Sequence, residues 1–297
     1  MLQTESPLVT VDWLYKHLEA ENLVILDATI PKFVRTSIED NLGYIPNSLF
    51  FDIKKKFSSI SADFPNTIPT SKQFQSEARE LGINSNSCII VYDAHGIYSS
   101  PRAWWLFKYF GHTNIAVLDG GLPEWMSKKY ATQKKYSSPQ AKGDFIADIK
   151  EELFTNFSGV NRFSKIEDTL IFDARSFERF RGEVPEPRKG LRSGIIPNSV
   201  NLPYTKLLNG HTLKSEEELK SVFETFANNR ERFVFSCGSG VTACNLALGA
   251  SVVGYKNLVV YDGSWTEYGT LTPIPMETSN WNKDELMAYI LLYAAHS

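Results

Sequence analysis

Cysteine is scarce in this chain, with three among 297 residues: Cys88, Cys237 and Cys244. Three thiols cannot close a disulfide framework, which points to a reducing compartment, the cytoplasm. A dominant charge is missing too. The 31 Lys and Arg nearly balance the 34 Asp and Glu, for a net charge of −3. That balance removes the basis for nucleic acid or an acidic membrane as partner. No apolar run approaches the roughly 20 residues of a membrane helix. The opening Met1-Leu-Gln-Thr-Glu-Ser-Pro7 has neither the basic region nor the apolar core of a signal peptide. Metal-ligand clusters and nucleotide-binding glycine motifs are also missing, so neither metal nor cofactor is expected.

What the chain does have is one series of landmarks written twice. Leu23-Val-Ile-Leu-Asp27 is answered by Leu170-Ile-Phe-Asp173, and Gly43-Tyr-Ile-Pro-Asn-Ser48 by Gly194-Ile-Ile-Pro-Asn-Ser199. The helix-opening pair Thr70 and Gln73 returns as Ser215 and Glu218. Ile89-Ile-Val-Tyr-Asp93 returns as Phe233-Val-Phe-Ser-Cys237, and Leu118-Asp-Gly120 as Tyr261-Asp-Gly263. The offsets all fall between 143 and 151 residues, so two tandem domains are expected. Most of their strands are apolar throughout, and they alternate with helical patterns. That predicts an α/β fold, each domain a parallel sheet with helices on both faces. The expected boundaries are 1–138 for the first domain, 139–157 for a linker and 158–297 for the second. An apolar helix over Asp284–Ala295 is expected to end the chain.

The stretch from Phe233 to Cys244 carries the chemistry. An apolar strand ends at Cys237, Gly238 and Gly240 flank a serine, and a helix follows. Glycines let the loop curl, and a curled loop ahead of a helix aims its N–H groups at one point. The amides of Gly238, Ser239, Gly240, Val241 and Thr242 are thus expected to ring an anion and keep Cys237 as thiolate, the nucleophilic form. The plainer reading, a free cysteine packing in the core, fits Cys88 and Cys244 better. The first domain has Asp93 at the cysteine position and is expected to be non-catalytic. A phosphatase would need an arginine six residues after the nucleophile, where Ala243 stands.

Upstream lies a loop that only the second domain has, Glu178-Arg-Phe-Arg-Gly-Glu-Val-Pro-Glu-Pro-Arg188. Its arginines could grip a carboxylate in bidentate fashion or pair with the loop's own glutamates in solvent.

Together these motifs resemble the tandem-domain rhodanese superfamily of sulfurtransferases, and within it the 3-mercaptopyruvate sulfurtransferases. The likeness rests on Cys237-Gly-Ser-Gly-Val-Thr242, Asp27, Ser100-Pro-Arg-Ala-Trp-Trp105, Asp119-Gly-Gly121, Glu186-Pro-Arg188, Gly194-x-Ile-Pro197 and Tyr261-Asp-Gly263. Thiosulfate-specific members carry Arg-Lys directly after the cysteine, where this chain has Gly238-Ser239. The resemblance implies sulfur transfer from 3-mercaptopyruvate through a Cys237 persulfide to a thiol, cyanide or thioredoxin-like acceptor. Arg188 and Arg179 would bind the substrate carboxylate, Ser239 the substrate thiol or carbonyl, and Tyr98 would line the mouth. Some members use a histidine in a proton relay where this chain has Asn66. The alternatives are a thiosulfate sulfurtransferase, or a non-catalytic redox or scaffold protein of the same fold.

Overall fold

The computed structural model describes residues 1–31, 43–227 and 230–272. The chain divides into two units: Met1–Glu151 with Asn209–Leu213, and Glu152–Leu208 with the chain from Lys214 onward.

Unit 1 contains β1 (Leu8–Val9), α1 (Val11–Lys16), β2 (Leu23–Asp27), β3 (Ser48–Phe50), α2 (Ser71–Glu80), β4 (Cys88–Tyr92), α3 (Ser100–Tyr109), β5 (Ile115–Leu118) and α4 (Gly121–Ser127). The helices start where the sequence supplies caps. Thr10 and Thr70 accept from the amides three residues on, Trp13 and Gln73. Gln73 does not close the capping box. Its amide donates instead to the carbonyls of Lys56 and Ser58. The sheet order is β1-β5-β4-β2-β3, with every pair parallel. β4, at its centre, is buried along its whole length because helices cover both faces. One face packs Leu14, Ile90 and Trp125. Beyond the sheet lies an aromatic layer in which Phe74 meets Phe57, Phe107, Phe110 and Phe145. Each such buried ring contributes ~1.5–3 kcal/mol.

Residues 139–157, expected to be a linker, follow unit 1 as far as Lys150. Gly143, Phe145, Asp148 and Lys150 donate their amides to Arg79, Ile83, Phe110 and Tyr109. Phe145, which is 1% exposed, anchors this stretch.

Unit 2 repeats the plan with β6 (Phe154–Thr155), α5 (Phe157–Phe163), β7 (Thr169–Asp173), α6 (Phe177–Phe180) and β8 (Ser199–Asn201). A hairpin of β9 (Leu208–Asn209) and β10 (Thr212–Leu213) follows, its residues Asn209–Leu213 belonging to unit 1. Then come α7 (Glu216–Ala227), β11 (Arg232–Ser236), α8 (Ala243–Val252), β12 (Asn257–Tyr261) and α9 (Ser264–Leu271). Here the capping box is complete, since Ser215 and Glu218 each accept the other's amide. The order β6-β12-β11-β7-β8 matches unit 1 strand for strand. Five parallel strands in the same order, twice, are the α/β duplication expected from the landmarks. The helix expected over Asp284–Ala295 lies outside the described residues.

Candidate active site

Cys237 follows β11, the central strand of unit 2, at the carboxyl end of the sheet where α/β folds bind ligands. The residue is 2% exposed and its thiol is free. The loop beyond it is clasped by the first turn of α9. Trp265 N–H donates to the Cys237 carbonyl at 2.9 Å and Thr266 N–H to the Gly238 carbonyl at 3.0 Å. Thr266 Oγ1 donates to the same Gly238 carbonyl at 2.5 Å. These amides belong to the first turn of α9, which has no partners of its own for them. No cis peptide occurs among the described residues. In a trans peptide C=O and N–H point in opposite directions. The N–H groups of Gly238 and Ser239 therefore face away from α9.

The amide ring expected around the sulfur is only partly of that form. The amides of Cys237 and Gly240 donate to Ser264 Oγ, each at 3.1 Å. The sulfur's own polar partner is that hydroxyl, 3.8 Å away. Gly240 has φ +76°, which a side chain would resist. Cys244 is buried and its thiol donates to the Gly240 carbonyl, while Cys88 is buried within β4.

Unit 1 shows what the same loop does around an anion. Asp93 is fully buried. Its Oδ1 accepts the amide of His95, and its Oδ2 accepts the amides of Tyr98, Ser99 and Ser100 and the Ser100 hydroxyl, all within 2.7–2.9 Å. The counterparts of these four amides in unit 2 are Ser239, Thr242, Ala243 and Cys244. That of Cys244 is used by the Val241 carbonyl.

The arginine-bearing loop divides between the two readings: Arg181 pairs with Glu183 in solvent at 3.0 Å, while Arg179 lies against the cysteine loop and Arg188 reaches the helix that clasps it. Glu186 is 7% exposed and bridges two arginines, Arg175 at 2.8 Å and Arg179 at 2.5 Å. Arg175 also pairs with Asp173 at 2.7 Å and donates to the Gly194 carbonyl. Burial alone would lower the Arg175 guanidinium, but Asp173 and Glu186 outweigh it and hold it above its usual value. Arg179 lies against the loop, so that a Cβ on Gly238 would stand 2.9 Å from Arg179 Nη2. Its Nε is buried and has no hydrogen-bond acceptor. Arg188 donates to Thr266 Oγ1 at 3.0 Å, one hydrogen bond from the Gly238 carbonyl.

The structure thus gathers Cys237, the loop from Gly238 to Thr242, Arg179 and Arg188 in unit 2. Tyr98 stands in unit 1, half-buried in the loop after β4, its ring edge-on to His95. Asn66, also in unit 1, has φ +61° and its carbonyl accepts from Arg102. Sequence reasoning passed over Arg175, Thr266 and Ser264. A signal for Ser264 was present, because it replaces the glycine at position 121 of the otherwise repeated Asp-Gly-Gly.

A family model for the rhodanese-like domain matches residues 10–128 and 160–270, and the chain belongs to the rhodanese family. Among its relatives is the mitochondrial thiosulfate/3-mercaptopyruvate sulfurtransferase 1 of Arabidopsis thaliana, 35% identical over 93% of this chain and 79% of that protein. The 3-mercaptopyruvate sulfurtransferase of Escherichia coli K12 is 34% identical over 91% of this chain and 97% of its own length. The crystal structure of SseA from Escherichia coli, solved to show the rhodanese fold of 3-mercaptopyruvate sulfotransferases, superposes with a TM-score of 0.77. That alignment is 32% identical and covers 88% of this chain and 99% of the other.

Proposed function

We propose that this chain is a sulfurtransferase that moves the sulfur of 3-mercaptopyruvate through a persulfide on Cys237 to a thiol acceptor. One observation carries the reading. In unit 1 the loop closes on Asp93 Oδ2, an anionic atom three bonds from Cα. A cysteine persulfide places its outer, anionic sulfur three bonds from Cα as well. The duplicated loop of unit 2 therefore suits Cys237 once it carries one more sulfur, with the amides of Ser239, Thr242 and Ala243 at the positions that hold Asp93.

In the first step the Cys237 thiolate attacks the substrate sulfur. The carbon–sulfur bond breaks with its electron pair on carbon, and the resulting enolate takes the proton of the substrate thiol to become pyruvate. That transfer is internal to the substrate, so Asn66 in place of a histidine does not block it. In the second step an acceptor thiol takes the outer sulfur and Cys237 returns as thiolate. Arg179 and Arg188 orient the substrate carboxylate. The Arg179 side chain, 24% exposed with Nη2 beside Gly238, supports that role. Ser239 binds the substrate thiol or carbonyl.

The neutral Gly238-Ser239 pair gives thiosulfate, a dianion, little counter-charge, which favours the monoanionic keto acid. Cyanide and a thioredoxin-like protein are the other acceptors to try. Among the described residues no helix is long and apolar enough to cross a membrane. Three cysteines outside any disulfide support a reducing site of action, the cytoplasm.

Intact mass spectrometry after exposure to 3-mercaptopyruvate tests the reading. Cys237 should gain one sulfur with release of one pyruvate, and Cys237→Ser should do neither. Pyruvate release by the serine variant, or faster turnover of thiosulfate than of mercaptopyruvate, would overturn it.

A further inference from the structure

Ser264 has no part in the chemistry above, yet it touches both the backbone of the nucleophile and its sulfur. The amides of Cys237 and Gly240 fill the two lone pairs of its hydroxyl. The single hydroxyl proton has two acceptors within reach, the Tyr261 carbonyl at 2.9 Å and Cys237 Sγ at 3.8 Å. Ser264 is fully buried and sits at φ +48°, a region that residues with a Cβ enter at a cost.

Unit 1 supplies an internal control. The matching residue is Gly121, at φ +52°. Leu122 N–H donates to the Asp93 carbonyl there, as Trp265 N–H does to the Cys237 carbonyl. A Cβ on Gly121 would stand 2.4 Å from that Asp93 carbonyl oxygen. The two units share the positive φ at this position and the amide bond from the residue after it. Only the unit with the sulfur places a hydroxyl on it, in a conformation that favours glycine.

We propose that Ser264 is a positioning residue for the second half-reaction, its hydroxyl proton turning from the Tyr261 carbonyl to Cys237 Sγ as that atom becomes the leaving group. The inference rests on the persulfide reading. In the persulfide the charge lies on the outer sulfur, and the Ser264 proton stays with the Tyr261 carbonyl. An acceptor thiolate then attacks the outer sulfur, a new sulfur–sulfur bond forms, and the old one breaks with its electron pair on Sγ. A hydrogen bond to a charged acceptor is about twice as strong as one between neutral groups, so the proton is drawn to Sγ as the charge arrives. Loading runs the other way. Sγ begins charged and gives the charge up, so losing the hydroxyl leaves fewer thiolates but more nucleophilic ones, and the two effects largely cancel.

The test separates the two half-reactions. Enzyme loaded with 3-mercaptopyruvate and freed of donor is mixed with dithiothreitol, and the remaining persulfide is followed by alkylation and intact mass. Ser264→Gly keeps the turn, because glycine adopts φ +48° without strain. Ser264→Ala keeps the Cβ, so either variant that retains its near-ultraviolet circular dichroism decides the matter. Discharge should slow about tenfold, the factor that ~1.4 kcal/mol of lost hydrogen bonding gives. Loading should stay within about threefold of wild type. Equal slowing of both steps, as a merely loosened loop would give, or unchanged discharge, overturns the role of Ser264 alone. A wild-type enzyme that never loads sulfur overturns the function proposed above and this role with it.

Discussion

Replacing Arg175 by methionine keeps the reach of the side chain and removes its charge. The guanidinium is wholly buried, 2.7 Å from Asp173 and 2.8 Å from Glu186, and it stacks on the Trp265 ring at 4.7 Å. Methionine can keep the ring contact but neither ion pair. Glu186 retains Arg179 at 2.5 Å, whereas Asp173 keeps only the Arg175 amide at 2.9 Å. Breaking a buried pair by removing one partner costs ~3–5 kcal/mol, because a charge is left in the interior without compensation. A domain of this size holds only ~5–15 kcal/mol in all.

Urea unfolding of Arg175→Met should therefore show unit 2 losing ~3–5 kcal/mol. The KM for mercaptopyruvate should rise several-fold, because the Glu186 that aims Arg179 is held at one end only. Asp173 and Glu186 hold the Arg175 guanidinium above its usual value, so its stabilising effect is present throughout the ordinary pH range and is lost only in strong alkali. A loss below ~1 kcal/mol, the worth of a surface pair, would refute the view that this triad braces Arg179.

Two further predictions concern unit 1. Burial pushes the Cys88 thiol up to about 11, so iodoacetamide at pH 8 should leave it unmodified in the native protein and label it once urea is added; native labelling would show that β4 opens. Burial also raises the Asp119 carboxyl to about 6 from 3.8, against the opposing hydrogen bond from the Leu213 amide. Between those values the folded protein holds a proton that the unfolded chain has lost, so stability falls as the pH climbs through this window and levels off above it. Asp119→Asn should remove that component, ~3 kcal/mol across the window. Parallel wild-type and variant curves between pH 4 and 6 would contradict the assignment.

Much of the fold was legible because parallel sheets write themselves plainly. Leu23–Asp27, Cys88–Tyr92 and Arg232–Ser236 are built on unbroken apolar runs, as strands covered on both faces must be. The recurrence of the landmarks showed that one plan had been used twice. Cys237 stood out because glycines crowd it for no packing reason. The residues that serve it were harder to read. Glu186 looks like one more surface acid among Glu178 and Glu183, and only the folded loop shows it buried between Arg175 and Arg179. The expected linker over residues 139–157 is tied to unit 1 by backbone hydrogen bonds to residues far away in the chain, which no local pattern records.

By itself, then, the order of residues determined the two α/β units, their common topology, and the cysteine at the end of a central strand. Those features depend on local periodicity and on glycine's backbone freedom, both of which act over a few neighbouring positions. Tertiary structure alone decided that α9 clasps the loop, that Ser264 faces the sulfur from 27 residues away, and that Arg179 lies over Gly238. Hydrogen bonds and ion pairs between distant segments exist only once the sheet has brought its carboxyl ends together, and no local pattern in the chain records them.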